Sequence, residues 1–302
     1  MSSFRRSCAA LAGGFALALS GCATASDVAP AAPVAAAGPA LWKVSDEDTT
    51  IYLFGTVHAL PKDVVWLRGP VAAALESAQV LVTEIPPGAL KQPEVQQAFV
   101  ARAMLPEGQT LRAMLAAEQR ATVEAALAKL GMPAAALDKV EPWFAAITLA
   151  TIPMLKAGYS PEAGVENAVE AQVGAGVKRD ALETVEEQLK LFDEMPPAVQ
   201  TAYLVSVAEG MDKVVPGMDA MVAAWVKGDA EGLAKLMNEE LDDPALADRL
   251  LYARNRDWAE WVETRLADPG TVFVAVGAGH LAGANSVQDY LGKEGVTVTR
   301  VQ

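Results

Sequence analysis

Thr271-Val272-Phe273-Val274-Ala275-Val276-Gly277-Ala278-Gly279-His280 is the stretch from which the fold can be read. Its first six residues form an apolar, largely β-branched run of strand length. Glycines then stop the run and a histidine follows. A strand that ends over a site must turn sharply and let backbone approach what sits there, and glycine permits both. The chain repeats the device earlier, where Ile51-Tyr52-Leu53-Phe54 runs into Gly55-Thr56-Val57-His58. Only two histidines occur in 302 residues, and each closes a strand–Gly-x-x-His unit. Imidazole is the side chain most used for metal ligation and for proton transfer near neutral pH. The pairing predicts one site at a sheet edge.

Working outward, Thr49 to Phe54, Val80 to Thr83, Val177 to Leu182 and Thr271 to Val276 read as strands, and Val296 to Val301 reads as an edge strand. Helical patterns lie between them: Pro70–Ser77, Thr110–Leu130, Pro142–Lys156, Gly164–Val173, Glu186–Met195, Val199–Met211, Asp219–Leu241 and Asp243–Ala267. Strands separated by helices predict an α/β fold. The expected core is a central mixed, partly parallel sheet with large helical insertions at about residues 90–175 and 195–267.

In such a sheet, ligands collect beyond the carboxyl ends of the parallel strands. His58, Glu84, Glu183 and His280 all follow strand ends. Two imidazoles and two carboxylates there suit a divalent metal of N,O type, or acid/base work around one. We expect His58, Glu84 and His280 to hold the metal and Glu183 to act as a general base or support it. Arg254 sits on the apolar stripe of residues 243–267, one turn from Leu250 and Trp258, so it must be paired or point into the site. It is expected to pair with a carboxylate or stabilise developing negative charge. Trp258 and Trp261 read as core. Thr184-x-x-Glu187 fits a capping box. The Gly277-Ala278-Gly279 turn lacks the third glycine of a dinucleotide loop, and neither a G-x-S-x-G nor an H-E-x-x-H is present, which excludes those classes.

The chain begins with Arg5-Arg6 and an apolar run from Cys8 to Leu19, too short for a span and suited to a secretory leader. Leu19-Ser20-Gly21-Cys22 resembles a bacterial lipobox, which implies cleavage before Cys22 and its lipidation. Ala at 23 rather than Asp favours the outer membrane, facing the periplasm. Residues 1–21 are thus expected to be a lipoprotein signal peptide, 22–40 an Ala/Pro-rich tether and 41–302 a single α/β domain. With Cys8 removed and Cys22 lipidated, no mature thiol remains for a disulfide or a Cys-based metal site. The net charge of −14 becomes more negative when the two leader arginines leave. That argues against nucleic acid and against docking on anionic lipid, so the membrane is met through the lipid anchor.

Six motifs carry a resemblance: Leu53-Phe54-Gly55-Thr56-Val57-His58, Val82-Thr83-Glu84, Glu141-Pro142-Trp143, Leu182-Glu183-Thr184 running to Glu187-Gln188, Arg254-Asn255-Arg256-Asp257-Trp258-Ala259, and Val276-Gly277-Ala278-Gly279-His280-Leu281-Ala282-Gly283. In this order they cover residues 41–302 and resemble the TraB/GumN family, which includes the Tiki metalloproteases and is distantly similar to erythromycin esterases and the haem-binding ChaN lipoproteins. The resemblance implies an α/β core and a site on both Gly-x-x-His motifs, a glutamate after the second strand and an arginine from the late helix. Gly55, Asn255 and Gly277 become candidate accessory residues. So does Glu166, in Gly164-Val165-Glu166, where many relatives have Gly-hydrophobic-Asp.

These readings predict a lipid-anchored metal-dependent hydrolase, of peptidase type or acting on an ester-bearing small molecule, with Mn, Co or Zn as the metal. The alternatives are a haem- or iron-binding lipoprotein and a non-catalytic envelope scaffold.

Overall fold

The computed structural model describes residues 38–238, 243–281 and 283–302. The expected signal peptide, Cys22 and most of the tether lie outside them, as does Ala282. Gly38, Pro39 and Ala40 are buried, and the Gln302 side chain donates to the Pro39 carbonyl at 2.9 Å.

Among the described residues, eight strands form: β1 Leu41–Ser45, β2 Thr49–Thr56, β3 Leu60–Pro61, β4 Val80–Thr83, β5 Tyr159–Ser160, β6 Lys178–Ala181, β7 Gly270–Gly277 and β8 Val298–Arg300. Six make one sheet in the order β6-β4-β7-β2-β1-β8, while β3 and β5 pair by themselves. Strands β6, β4, β7 and β2 run parallel, and β1 is antiparallel to both β2 and β8. The sheet is therefore mixed and partly parallel, as expected. Strand β1 was not foreseen. It pairs Leu41 to Ser45 against Thr50 to Phe54, across an Asp46-Glu47-Asp48 turn in which Asp46 caps the Thr49 amide at 2.8 Å.

Alternation on β2 and β7 sorts the two cores. Phe54, Phe273 and Ala275 face a cluster with Trp66, Val165 and Trp225. Ile51, Leu53, Val272, Val274 and Val276 face the other, with Trp258, Val262 and Leu291. Both faces of the central strands are covered, which is why these strands read as unbroken apolar runs.

Among the described residues, twelve α-helices lie between the strands: α1 Gly69–Ser77, α2 Pro93–Ala103, α3 Leu111–Met114, α4 Ala117–Lys129, α5 Pro142–Lys156, α6 Val165–Gln172, α7 Val185–Asp193, α8 Pro197–Val226, α9 Ala230–Asn238, α10 Pro244–Ala247, α11 Ala253–Arg265 and α12 Val287–Lys293. Two helical expectations are corrected. Thr110–Leu130 is two helices, because the chain turns at Leu115–Ala116 and Gln119 caps the Ala116 amide at 3.0 Å. Val199–Met211 and the start of the next segment are instead one helix, α8, running through Pro216. An internal proline costs about 3 kcal/mol. The helix offsets that cost by bridging two cores, with Leu204, Ala208 and Met211 in one and Val222 and Trp225 in another. The two helical insertions pack mainly on each other through α5 and α8, while Trp225 and Trp258 carry the second one onto opposite faces of the sheet. Among the described residues, no helix is long and apolar enough to cross a membrane.

Candidate functional site

Parallel register aligns the carboxyl ends of β6, β4, β7 and β2: Ala181 and Ala275 both flank Thr83, and Thr56 pairs with Gly277. The ladder between β4 and β6 continues past both strands, with Leu182 N donating to Thr83 O and Glu183 N to Glu84 O at 2.8 Å. This sets Glu84 and Glu183 side by side. From β7, a 3₁₀ turn at Ala278–Leu281 carries His280 back over the sheet edge. The two Gly-x-x-His units touch: a Cβ on Gly55 would lie 3.0 Å from Ala278 Cα. A Cβ on Gly277 would meet Glu84 Oε1 at 3.0 Å, His280 Cδ2 at 3.5 Å and His58 Nε2 at 3.9 Å. Both imidazoles therefore flank one glycine, and a side chain at either glycine would crowd its neighbours.

Arg254 stands at the centre. Its Nε donates to Glu183 Oε1 at 2.7 Å, and its Nη2 to Glu183 Oε2 and Glu84 Oε2, each at 2.8 Å. Its Nη1 donates to His280 Nε2 at 2.9 Å and to the Leu250 carbonyl at 3.0 Å. A guanidinium has five N–H donors, and these five bonds use all of them. Leu250 lies in a π-helical segment, Asp248–Tyr252, just before α11; such bulges recur at functional sites. The guanidinium also lies 4.7 Å over the Trp258 ring, whose centroid is 4.3 Å from that of His280. Trp258 is thus a wall of the site as well as core. Its place one turn after Arg254 was the signal that could have shown this.

The remaining valences of this cluster are filled. Glu84 Oε1 accepts from Gly277 N at 2.6 Å, and Oε2 also accepts from Gln188 Nε2 at 2.7 Å. The expected capping box between Thr184 and Glu187 starts α7, and α7 presents Gln188 to Glu84. Sequence reasoning placed Gln188 in a motif of the resemblance but gave it no role. His280 Nδ1 meets Asn255 Oδ1 at 2.6 Å, and Asn255 Nδ2 donates to Asn285 O at 2.7 Å. Asn285 adopts a left-handed φ of 58°, a conformation that asparagine tolerates. With Arg254 donating to Nε2, the His280 proton belongs on Nδ1.

Burial pushes the His280 titration down to about 3; Arg254 acts in the same direction and Glu84 opposes it. Burial alone would raise Glu84, but its charged and hydrogen-bonding neighbours win and hold it down at about 2. Because His280 is neutral near pH 7, Arg254, the protonated His58 and the Gly277 amide carry that effect. Between pH 6.5 and about 3 the unfolded chain protonates His280 and the folded chain does not. The stability this histidine contributes is thus complete above pH 6.5 and is lost as pH falls towards 3. Denaturant unfolding at stepped pH should show that loss, and His280→Gln should flatten the slope by up to about 1.4 kcal/mol per pH unit. An unchanged slope would refute the assignment.

His58 is different. Its Nδ1 lies 2.7 Å from Glu166 Oε1, which also accepts from Thr56 Oγ1 at 2.5 Å. The ring is exposed. Its Nε2, near Gly277, has no hydrogen-bond partner among the described residues. Glu166, expected only as an accessory, is the orienting partner of this histidine, and its hydrogen bond raises the His58 titration above the ordinary range. Burial would lift the Glu166 carboxyl, but the His58 bond and charge overcome this and lower it. Gly164 makes the pairing possible. A Cβ there would lie 2.3 Å from the His58 carbonyl oxygen and 2.8 Å from that of Pro161, and the next amide, Val165 N, donates to Val57 O at 3.0 Å. Gly164→Ala should cost about 1–3 kcal/mol in thermal or denaturant unfolding. It should also move the His58 imidazole titration, followed by NMR, down towards 6.5. A wild-type titration in a folded variant would refute this.

The donor types expected for a metal, His58, Glu84 and His280, do converge on Gly277. A divalent ion needs open lone pairs at about 2.0–2.2 Å. His280 Nε2 and Glu84 Oε2 instead accept from Arg254, and Glu84 Oε1 from Gly277. As arranged, the residues do not fit the ion. Among the described residues, no group of three or more His, Cys, Asp or Glu could hold one.

A family model described as TraB/PrgY/gumN matches residues 40–300. No curated protein and no solved structure gives a match. The match spans every motif on which the resemblance was drawn, from the first Gly-x-x-His to the second. The chain belongs to the TraB/PrgY/gumN family.

Proposed function

We propose that this chain is a hydrolase of ester or amide carbonyls, held at the cell envelope by lipid on Cys22, with His58 and Glu166 as its acid/base pair. One observation carries the reading: His58 is fixed through Nδ1 by a carboxylate, while its exposed Nε2 faces the sheet-edge cluster without a partner among the described residues. That is the arrangement of a general base whose tautomer and direction are set by a third group.

In its neutral form, His58 Nε2 takes a proton from water. The hydroxide adds to the carbonyl carbon, and the imidazolium returns the proton to the leaving alcohol or amine as the tetrahedral adduct collapses. Glu166 holds the ring and balances its charge. Glu84, Glu183, Arg254 and His280 form the rigid floor on which the Gly277 turn and the mouth of the site are built. The Arg254 donors are all engaged, so in this reading it positions Glu84, Glu183 and His280 and does not grip a substrate oxyanion.

The test is hydrolysis of a panel of aryl esters and fluorogenic peptides by full-length protein in detergent micelles, beside His58→Ala. Turnover in the wild type that disappears in the variant supports the reading. No turnover across the panel, or equal turnover in both proteins, rejects it.

A further inference from the structure

We propose that the cation of the buried cluster is Arg254 itself, and that its guanidinium fills the place a divalent metal would take between Glu84 and His280. The five bonds of Arg254 end on two carboxylates, an imidazole nitrogen and a carbonyl. Four of those five acceptor atoms, His280 Nε2, Glu84 Oε2 and both oxygens of Glu183, are the lone pairs an N,O metal site would draw on. The tautomer agrees: Asn255 holds the proton on His280 Nδ1 and leaves Nε2 as an acceptor, but that acceptor is aimed at Nη1. The Trp258 face closes over the guanidinium, as suits a flat, weakly hydrated cation.

Charge makes the two cations mutually exclusive. A divalent ion on Glu84 and His280 would sit within hydrogen-bond range of a guanidinium that cannot lose its proton. Arg254 would have to leave, abandoning three carboxylate contacts. Its side chain and those of both partner glutamates are only 12–13% exposed, so water would not replace what it lost. The cluster is thus a structural ionic core, and the open donor of the site is His58 Nε2. This does not depend on the hydrolase reading: a chain without activity could still exclude metal here, and an active one could still bind it.

With two histidines in the chain, the test has a clean readout. Untagged full-length protein labelled with ¹⁵N at histidine shows two imidazoles, assigned with His58→Gln. Zinc is titrated in and retained metal is then counted by mass spectrometry. The expected result is that the His280 Nε2 and Nδ1 shifts stay fixed through one equivalent and that dialysed protein keeps well under one zinc per chain. A shift of His280 Nε2 to a zinc-bound value, complete at one equivalent, overturns the proposal. Arg254→Met gives a second arm: if folded, it should take up about one zinc and lose it again when Glu84→Gln is added. A folded Arg254→Met that takes up none also overturns the proposal. The wild-type titration decides the matter even if that variant does not fold.

Discussion

His58→Ala is expected to lower hydrolytic kcat/KM by about 10²–10⁴-fold, the usual contribution of one positioned acid/base group, with little change in melting temperature above the elevated His58 titration, where the exposed ring is neutral in both folded and unfolded chain. Glu166→Gln should be more informative. In the wild type, the Glu166 hydrogen bond and charge hold His58 protonated above its ordinary range. The basic form, which takes the proton from water, therefore accumulates only as pH rises through that elevated value, and kcat/KM should climb into the alkaline range. Removing the carboxylate charge lowers the His58 titration, so the rising limb should move to lower pH while the plateau falls. A plateau that falls without any shift of the limb would mean that Glu166 acts only as packing, and the acid/base pair would be wrong.

That pair also marks where the sequence was legible and where it was not. The sheet could be read because β2 and β7 are covered on both faces and are therefore apolar throughout, and because each ends in glycine at a close approach. Strand ends then implied a shared edge, which is why His58, Glu84, Glu183 and His280 could be grouped without coordinates. Their partners could not. Glu166 reaches His58 across 108 positions and Gln188 reaches Glu84 across 104, and no local pattern encodes contacts of that range. The signal that did exist for Glu166 was Gly164, whose missing side chain lets α6 start against the His58 carbonyl. Strand β1 was missed because its antiparallel pairing and short acidic turn leave no long apolar run. The continuity of α8 through Pro216 is a tertiary decision, made by packing against neighbouring helices, whereas the break between α3 and α4 has a local cause in the Gln119 cap on Ala116.

Arg254→Met is expected to be the most destabilising single change in the site, at about 3–5 kcal/mol, because removing one partner of a buried ionic cluster leaves the others uncompensated. Glu84 and Glu183 would remain side by side, joined through their backbones, with both side chains largely shielded from water. Replacing the whole cluster should cost far less than breaking it. Arg254→Met combined with Glu84→Gln and Glu183→Gln removes the stranded charges, and Gln188 can still donate to the amide oxygen at position 84. Urea unfolding of the single, double and triple variants then forms a cycle in which the triple variant recovers most of the loss. Additive losses would show that the three residues act independently and that the bonds to Arg254 contribute little. Recovery would identify the network as the element that fixes the geometry of the sheet edge. The acid/base pair should respond differently: Glu166→Gln alters the pH profile of activity, and its cost in stability is present below pH 6.5 and fades as pH rises through the elevated His58 titration. Comparing the two sets of variants thus separates the part of the site that holds the fold from the part that handles the proton.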